Sequence, residues 1–133
     1  MAQTENAASP HPVSPHLQIW RWHITMLSSI MHRATGVALY VGAIGLCVWL
    51  LALAFGPSTF GPIDEFLHSI VGEVGLYLLA AAFGYHLFNG IRHLLFDAGM
   101  GFKPATANMS AWIALSGLVI APAAIWAVLH FRG

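Results

Sequence analysis

The feature of this sequence that most restricts its fold is a long stretch without charged side chains. No Asp, Glu, Lys or Arg occurs between Arg33 and Asp64. Residues 34–55 alone would extend about 33 Å as an α-helix, which is enough to cross the hydrocarbon core of a bilayer. Two further apolar stretches follow. We therefore predict three transmembrane helices, over about residues 29–55, 66–96 and 109–131.

The amino-acid composition agrees with a lipid-facing surface. Of the 133 residues, 58% are apolar and only 8% are charged, whereas a soluble domain is typically about 45–50% apolar and about 25% charged. The predicted fold class is an all-α membrane protein with three transmembrane helices and a short N-terminal interfacial helix. The formal net charge of zero gives no electrostatic basis for binding nucleic acid, so we expect no such partner.

The N-terminal segment differs from the rest of the chain. Residues 1–15 contain three prolines among small and polar residues, which predicts an extended or disordered lead-in before a single anchor domain over residues 16–133. The segment does not resemble a signal peptide or a transit peptide. Apolar residues then recur at helical spacing, at Leu17, Trp20, Ile24 and Leu27. They form either an interfacial helix or the first turns of the first span.

Glycine, proline and basic residues organise the spans. Two Gly-Pro pairs within residues 56–62 predict a loop after the first span, and Pro122 is expected to kink the third. Basic residues concentrate at one end of the predicted bundle, at Arg21, Arg33, Arg92 and Lys103. The positive-inside rule then predicts a cytoplasmic N-terminus. We expect a bacterial inner membrane, since a transit peptide is absent.

The second span contains an ionisable side chain at membrane depth, where such residues usually have a function. His86 precedes Arg92 by six residues and therefore lies about 9 Å deeper along a helix. Gly90 and His93 follow His86 on the same helix face. An imidazole beside a missing side chain suits a flat ligand such as haem b, with Arg92 and His93 near its carboxylates. The alternative is a histidine that bonds to a neighbouring helix beside a packing glycine.

A second haem ligand would have to come from another chain. His32 lies near one membrane edge, while His68 and His130 lie near the other, so none is at the depth of His86. His93 is about 10 Å along the same helix face and cannot reach the opposite side of one iron. A bis-histidine haem would therefore be shared with a partner.

Another polar cluster begins the first span. Ser29, His32 and Arg33 are three and four residues apart and share a helix surface. Ser29 and Arg33 are donors suited to the carbonyl oxygens of a quinone. The alternative is an interfacial anchor that contacts phospholipid, with Ser29 bonded to its own helix.

Two segments resemble the signatures of one family. They are residues 29–36 (SIMHRATG) and residues 86–99 (HLFNGIRHLLFDAG), preceded by a similar lead-in at residues 14–19. They resemble the cytochrome b subunit of succinate dehydrogenase, one of two membrane anchors of respiratory complex II. The resemblance covers about residues 12–131. It departs from the family at His11, which is usually Arg, and at Trp20, which is usually Tyr.

The resemblance implies roles for the matched residues. His86 would be the axial ligand of a haem b shared with a second anchor subunit, against which the three helices would pack. Ser29 and Arg33 would belong to the ubiquinone site, and His32, Arg33 and His93 would lie near the haem propionates. The other implied partners are membrane lipid, an iron–sulfur subunit and the flavoprotein subunit that oxidises succinate. The chain would be a subunit that is not catalytic alone and that helps to pass electrons to quinone in the tricarboxylic acid cycle and respiratory chain.

Two other functions remain open from the sequence. An anchor of a quinol:fumarate reductase would run the reaction in the opposite direction. A non-redox small membrane protein would hold no haem and would tolerate His86→Ala.

Overall fold

The computed structural model describes residues 21–131, which form four α-helices and no strand. In chain order these are α1 (Ile24–Phe55), α2 (Pro57–Leu67), α3 (Ile70–Asp97) and α4 (Pro104–Phe131). Within this part of the chain α1, α3 and α4 are long and apolar enough to cross a membrane, so the all-α class with three spans is confirmed. The predicted lead-in, and the predicted interfacial helix as far as residue 20, lie outside the described residues. Ile24 and Leu27 belong to α1, the second of the two interpretations given above.

The predicted loop between the first two spans is wrong, because residues 57–67 form the helix α2. Gly56, with φ of 99°, ends α1 in a conformation that favours glycine. Pro57 then occupies the first position of α2, where a missing backbone N–H leaves no helical bond unmade. The Gly-Pro pair therefore marks a boundary between two helices. The ring of Phe60 packs edge-on against Trp49 of α1, with centroids 5.9 Å apart.

The third helix begins at Ile70, after an N-cap formed by Ser69. The Ser69 hydroxyl accepts a hydrogen bond from the backbone N–H of Gly72 at 3.2 Å, the usual way to satisfy a free N–H at a helix start. Two glycines with positive φ, Gly99 and Gly101, lie in the turn that leads to α4.

Helices α3 and α4 form the most extensive helix pair in the described chain. A Cβ placed on Gly84 would collide with the backbone carbonyl of Gly117 and would lie 2.6 Å from the Cβ of Ala121. The two helices thus approach until their backbones meet, as small residues allow in membrane bundles. Gly117 and Ala121 lie four residues apart on α4 and face Gly84. α4 continues through Pro122 as one helix.

Most of the surface of the three long helices is apolar and exposed. Among residues 21–131 the buried apolar residues are few and small, apart from one tyrosine: Ala52, Ala82, Tyr85, Ala111 and Ala114. A chain that buries so little apolar surface within itself is suited to lipid or to other membrane helices on its outer faces.

Candidate functional site

Buried polar side chains gather at one end of the bundle, which we call the polar end. It is formed by the first turns of α1, the last turns of α3 and the start of α4. Within residues 21–131 the four buried polar or charged side chains are Ser28, Thr35, Asn89 and Arg92, and buried Tyr85 lies beside them. Burying polar groups is unfavourable unless they are hydrogen-bonded, so the bonds among them decide what this end can do.

Two matching stripes bring these residues together. Ser28, His32 and Thr35 of α1 lie at positions i, i+4 and i+7, and Tyr85, Asn89 and Arg92 of α3 have the same spacing. Such spacing places side chains on one helix face. The stripes face each other, since the Tyr85 hydroxyl donates to the backbone carbonyl of Ser28 at 2.6 Å.

Arg92 ties three helices together. Its Nε donates to Ser110 Oγ of α4 at 3.0 Å, and its Nη1 donates to Ser28 Oγ of α1 at 3.3 Å and to Asn89 Oδ1 at 3.4 Å. Its Nη2 donates to the carbonyl of Ala107 at 3.4 Å. The guanidinium therefore points into the chain. The spacing of Arg92 from His86 predicts a different position for the guanidinium, near the carboxylates of a bound ligand.

Three histidines lie beside this network. The rings of His32 and His86 are stacked with centroids 3.9 Å apart and planes 13° apart. The His93 ring lies 5.1 Å from that of His32. His32 and His86 are partly exposed and His93 is exposed, so the cluster opens onto the outer surface of the chain. The structure thus brings together three of the predicted site residues, from two helices. The expectation that His32 lies away from the depth of His86 is wrong, because α1 and α3 cross so that the two rings stack.

His86 is held by α1. Its Nδ1 lies 3.2 Å from Thr35 Oγ1. A Cβ on Gly36 would lie 3.2 Å from Cε1 of His86, a tighter approach than side chains normally allow. The imidazole therefore packs against the backbone of α1 at Gly36, where no side chain is in the way. Gly90, one turn beyond His86, has open space where a side chain would be.

Two polar atoms at this end are buried and have no hydrogen-bond partner in the described chain: Nδ1 of His32 and Nδ2 of Asn89. A buried donor or acceptor without a partner is unfavourable by about 1–3 kcal/mol. These atoms are therefore places where a bound molecule or a second chain could add a bond.

Ser29 and Arg33, the other two predicted site residues of α1, make no hydrogen bond or ion pair to the histidine cluster. Ser29 is partly exposed and Arg33 is exposed. Neither side chain makes a hydrogen bond or ion pair with residues 21–131. The hydroxyl of Ser29 is thus not bonded to its own helix, in contrast to the neighbouring Ser28, which donates to Thr25 O at 2.9 Å.

Sequence reasoning missed the structural role of Ser28, Thr35 and Tyr85. The signal that could have found them is the repeated i, i+4, i+7 pattern of polar residues on the first two spans. No comparable signal marks Ser110, because its importance depends on where α4 crosses α3.

Comparison with known proteins places this geometry in a family. The model of the family described as Succinate dehydrogenase/Fumarate reductase transmembrane subunit matches residues 7–131. The chain belongs to this family. Together with the three long apolar helices, membership makes it a multi-pass membrane protein.

Three relatives illustrate the similarity. The chain is 38% identical over 109 residues to the succinate dehydrogenase cytochrome b556 subunit of Paracoccus denitrificans, covering 82% of this chain and 84% of that protein. It is 36% identical over 115 residues to the subunit of the same name in Rickettsia conorii, covering 86% and 90%. It is 38% identical over 120 residues to the mitochondrial succinate dehydrogenase cytochrome b560 subunit of Sus scrofa, covering 84% and 67%.

Proposed function

We propose that the chain is the haem b-binding membrane anchor of a succinate:quinone oxidoreductase and contributes to its ubiquinone-reduction site. The observation that carries the proposal is the setting of His86, an imidazole fixed against α1 beside the open surface at Gly90. The cytochrome b names of the relatives support haem b as the ligand.

The residues present fit a haem b. His86 is partly exposed, and Gly90 leaves space for a flat ring on the same helix face. No group of three His, Cys, Asp or Glu side chains within residues 21–131 is arranged to hold a bare metal ion. One accessible imidazole beside an open apolar surface suits a single axial ligand of a macrocycle. When bound, the haem supplies a one-electron carrier.

The other residues of the cluster have distinct roles in this proposal. His32 and His93 hold the haem propionates by hydrogen bonds, together with Arg33, whose guanidinium is exposed and not committed to another side chain in the described chain. The unpartnered Nδ1 of His32 is available for such a bond. A second anchor subunit would supply the other histidine that holds the haem, since the neighbouring imidazoles of the described helices, His32 and His93, lie beside His86 in the same cluster.

Ser29 and Arg33 bind the quinone headgroup. Both are donors, and a quinone carbonyl accepts hydrogen bonds that strengthen as negative charge develops on reduction. Two electrons from the iron–sulfur subunit and two protons convert quinone to quinol. The chain positions the quinone and docks the soluble iron–sulfur and flavoprotein subunits, while succinate is oxidised on the flavoprotein.

The proposed orientation places the polar end at the cytoplasmic side of a bacterial inner membrane. Exposed Arg33 and Lys103 lie at that end, while α2 at the other end carries Asp64 and Glu65 and no basic residue. This distribution follows the positive-inside rule.

The quinone assignment is tested in membranes that contain the whole complex. We expect Ser29→Ala and Arg33→Leu to slow succinate-dependent ubiquinone reduction about tenfold or more, since each loss of about 1.4 kcal/mol of transition-state stabilisation is tenfold in rate. Succinate oxidation by a soluble artificial acceptor should persist. Ser58→Ala, an exposed serine of α2, is the matched control. Equal loss of both activities would contradict the assignment and indicate failed assembly. If the complex reduced fumarate with menaquinol in preference to reducing ubiquinone with succinate, the chain would be the anchor of a quinol:fumarate reductase.

A further inference from the structure

We infer that Thr35 is a positioning residue that fixes the tautomer and the ring orientation of His86. The inference rests on the proposed function, since it concerns the imidazole assigned there to the haem iron. It is carried by the hydrogen bonds of the Thr35 hydroxyl and by the close approach of His86 to Gly36.

The Thr35 hydroxyl has one proton, and its neighbours determine where that proton goes. Oγ1 lies 2.8 Å from the carbonyl oxygen of Met31 and 3.1 Å from that of His32. Carbonyl oxygens only accept hydrogen bonds, so the hydroxyl donates to the backbone of its own helix. The hydroxyl proton of Thr35 is therefore donated to the backbone of α1, and the hydroxyl oxygen faces His86 as an acceptor.

The ring nitrogen that faces Thr35 must then carry a hydrogen. Nδ1 of His86 is 3.2 Å from Oγ1, so in the neutral imidazole Nδ1–H donates to Thr35 and Nε2 is left unprotonated. An unprotonated Nε2 is the form that binds a metal, and a hydrogen bond from the opposite nitrogen makes it a more basic ligand.

The ring is also held against rotation. Thr35 is buried and is tied to the preceding turn of α1 by its bonds to Met31 and His32. On one side of the imidazole, Cε1 lies where Gly36 has no side chain. The stacked ring of His32 covers a face of the imidazole at 3.9 Å. Thr35, Gly36 and His32 of α1 therefore hold the His86 imidazole of α3 in one orientation.

Among residues 21–131, Thr35 is the side chain that can orient the His86 ring through a hydrogen bond. In this described part of the chain no other side chain makes a hydrogen bond to the His86 ring nitrogens. Removing the hydroxyl would thus leave Nδ1–H without its acceptor while the axial ligand itself stays in place. A more basic ligand stabilises ferric over ferrous iron, so losing the bond should raise the haem midpoint potential and weaken haem retention.

The experiment compares Thr35→Val with Thr35→Ser in the purified whole complex. Valine keeps the branched shape and lacks the hydroxyl, while serine keeps the hydroxyl. We expect Thr35→Val to change the ferric-to-ferrous ratio at fixed potential by about threefold to tenfold, up to about 59 mV for a one-electron couple. We also expect faster haem release, by about 10- to 100-fold. Thr35→Ser and the exposed control Thr59→Val of α2 should match the wild type in both measurements.

Two results would overturn the inference. One is a Thr35→Val complex with wild-type potential and haem release. The other is an equal shift in Thr35→Val and Thr35→Ser, which would show that the effect does not depend on the hydroxyl. If the valine complex does not assemble, Thr35→Ala is measured in its place and judged by the same results. His86→Ala tests the proposed function separately, because a wild-type haem spectrum in that variant would remove the ligand assignment on which the inference rests.

Discussion

The two ends of the α1–α3 pair are built in different ways. At the polar end, side chains join residues far apart in the sequence, as in the bonds from Tyr85 and Arg92 to Ser28. At the opposite end, which we call the groove end, α1, α2 and α3 surround an open apolar groove of about 1020 Å³. Its lining includes Gly42, Gly45, Trp49, Phe66, Gly75 and Leu79. The side-chain hydrogen bonds of the described chain near α2 are all local, within four residues.

The difference indicates where the chain fixes geometry by itself. Directional bonds between helices at the polar end set the positions of side chains within a narrow range, which a cofactor or quinone site requires. Apolar contact at the groove end sets the helix spacing only loosely. Substitutions at the polar end should therefore lower the stability of the complex more than substitutions at the groove end.

The largest effect is expected from Arg92→Leu. The substitution removes the donor that joins α1, α3 and α4, and it leaves Asn89 with neither its carbonyl nor its amide group bonded. We expect a loss of about 1.5–3 kcal/mol in the free energy of unfolding, the range for hydrogen bonds to a charged group. Thermal unfolding of the detergent-solubilised complex measures it. Arg21→Leu makes the same change at an exposed position without an assigned role and should have little effect on stability. Equal losses in the two variants would contradict a stabilising role of the Arg92 network.

Gly84→Ala comes next. Its Cβ would collide with the backbone of Gly117, so α3 and α4 must move apart, which is unfavourable by about 1–3 kcal/mol. Gly75→Ala is the matched control in the same helix, because no atom lies within 4 Å of the added Cβ. The melting temperature of the complex should fall in Gly84→Ala alone. A fall as large in Gly75→Ala would show that another chain covers the groove end in the complex, and the contrast between the two ends would then hold for the separate chain only.

Tyr85→Phe should have a smaller effect. It removes one bond, from the phenol to the Ser28 carbonyl at 2.6 Å, and keeps the ring. We expect a loss of about 1–1.5 kcal/mol, measured as a shift in the unfolding midpoint. Tyr40→Phe, at an exposed tyrosine of α1, is the control. A variant as stable as the wild type would argue against a contribution from this interhelical bond.

The smallest effect is expected at the groove end, from Ser69→Ala. The hydroxyl caps α3 through Gly72 N–H and also donates to Phe66 O at 2.6 Å. Replacing an N-cap serine by alanine costs about 0.5–2 kcal/mol, typically about 1, and replacement by glycine costs only a few tenths. Ser69→Gly is therefore the control. If Ser69→Ala lowered the melting temperature more than Arg92→Leu, the groove end would be the part of the chain that depends on polar contacts.

The sequence predicted the spans because their apolar stretches are long and nearly free of charge. The resemblance, and not the spacing, put His32 near the ligand of His86, while both put His93 there. The spacing argument placed His32 away from the depth of His86 and was wrong there, because depth read along one helix does not fix how two helices lie against each other, and the two rings stack 3.9 Å apart. The sequence also failed at α2, where Gly56 and Pro57 separate two helices and do not begin a loop. It placed Arg92 near a ligand because spacing along one helix contains no information about the neighbouring helix, and Ser110 of α4 is what draws the guanidinium inward.

The proposed function depends on His86 being the haem ligand of this chain. The most direct test is a reduced-minus-oxidised absorption spectrum of the purified complex, comparing the wild type with His86→Ala and with His68→Ala, an exposed histidine at the groove end. We predict a b-type α-band that succinate reduces in the wild type and in His68→Ala, and that is lost or altered in His86→Ala. An unchanged spectrum in His86→Ala, or no b-type band in the wild type, would contradict the account.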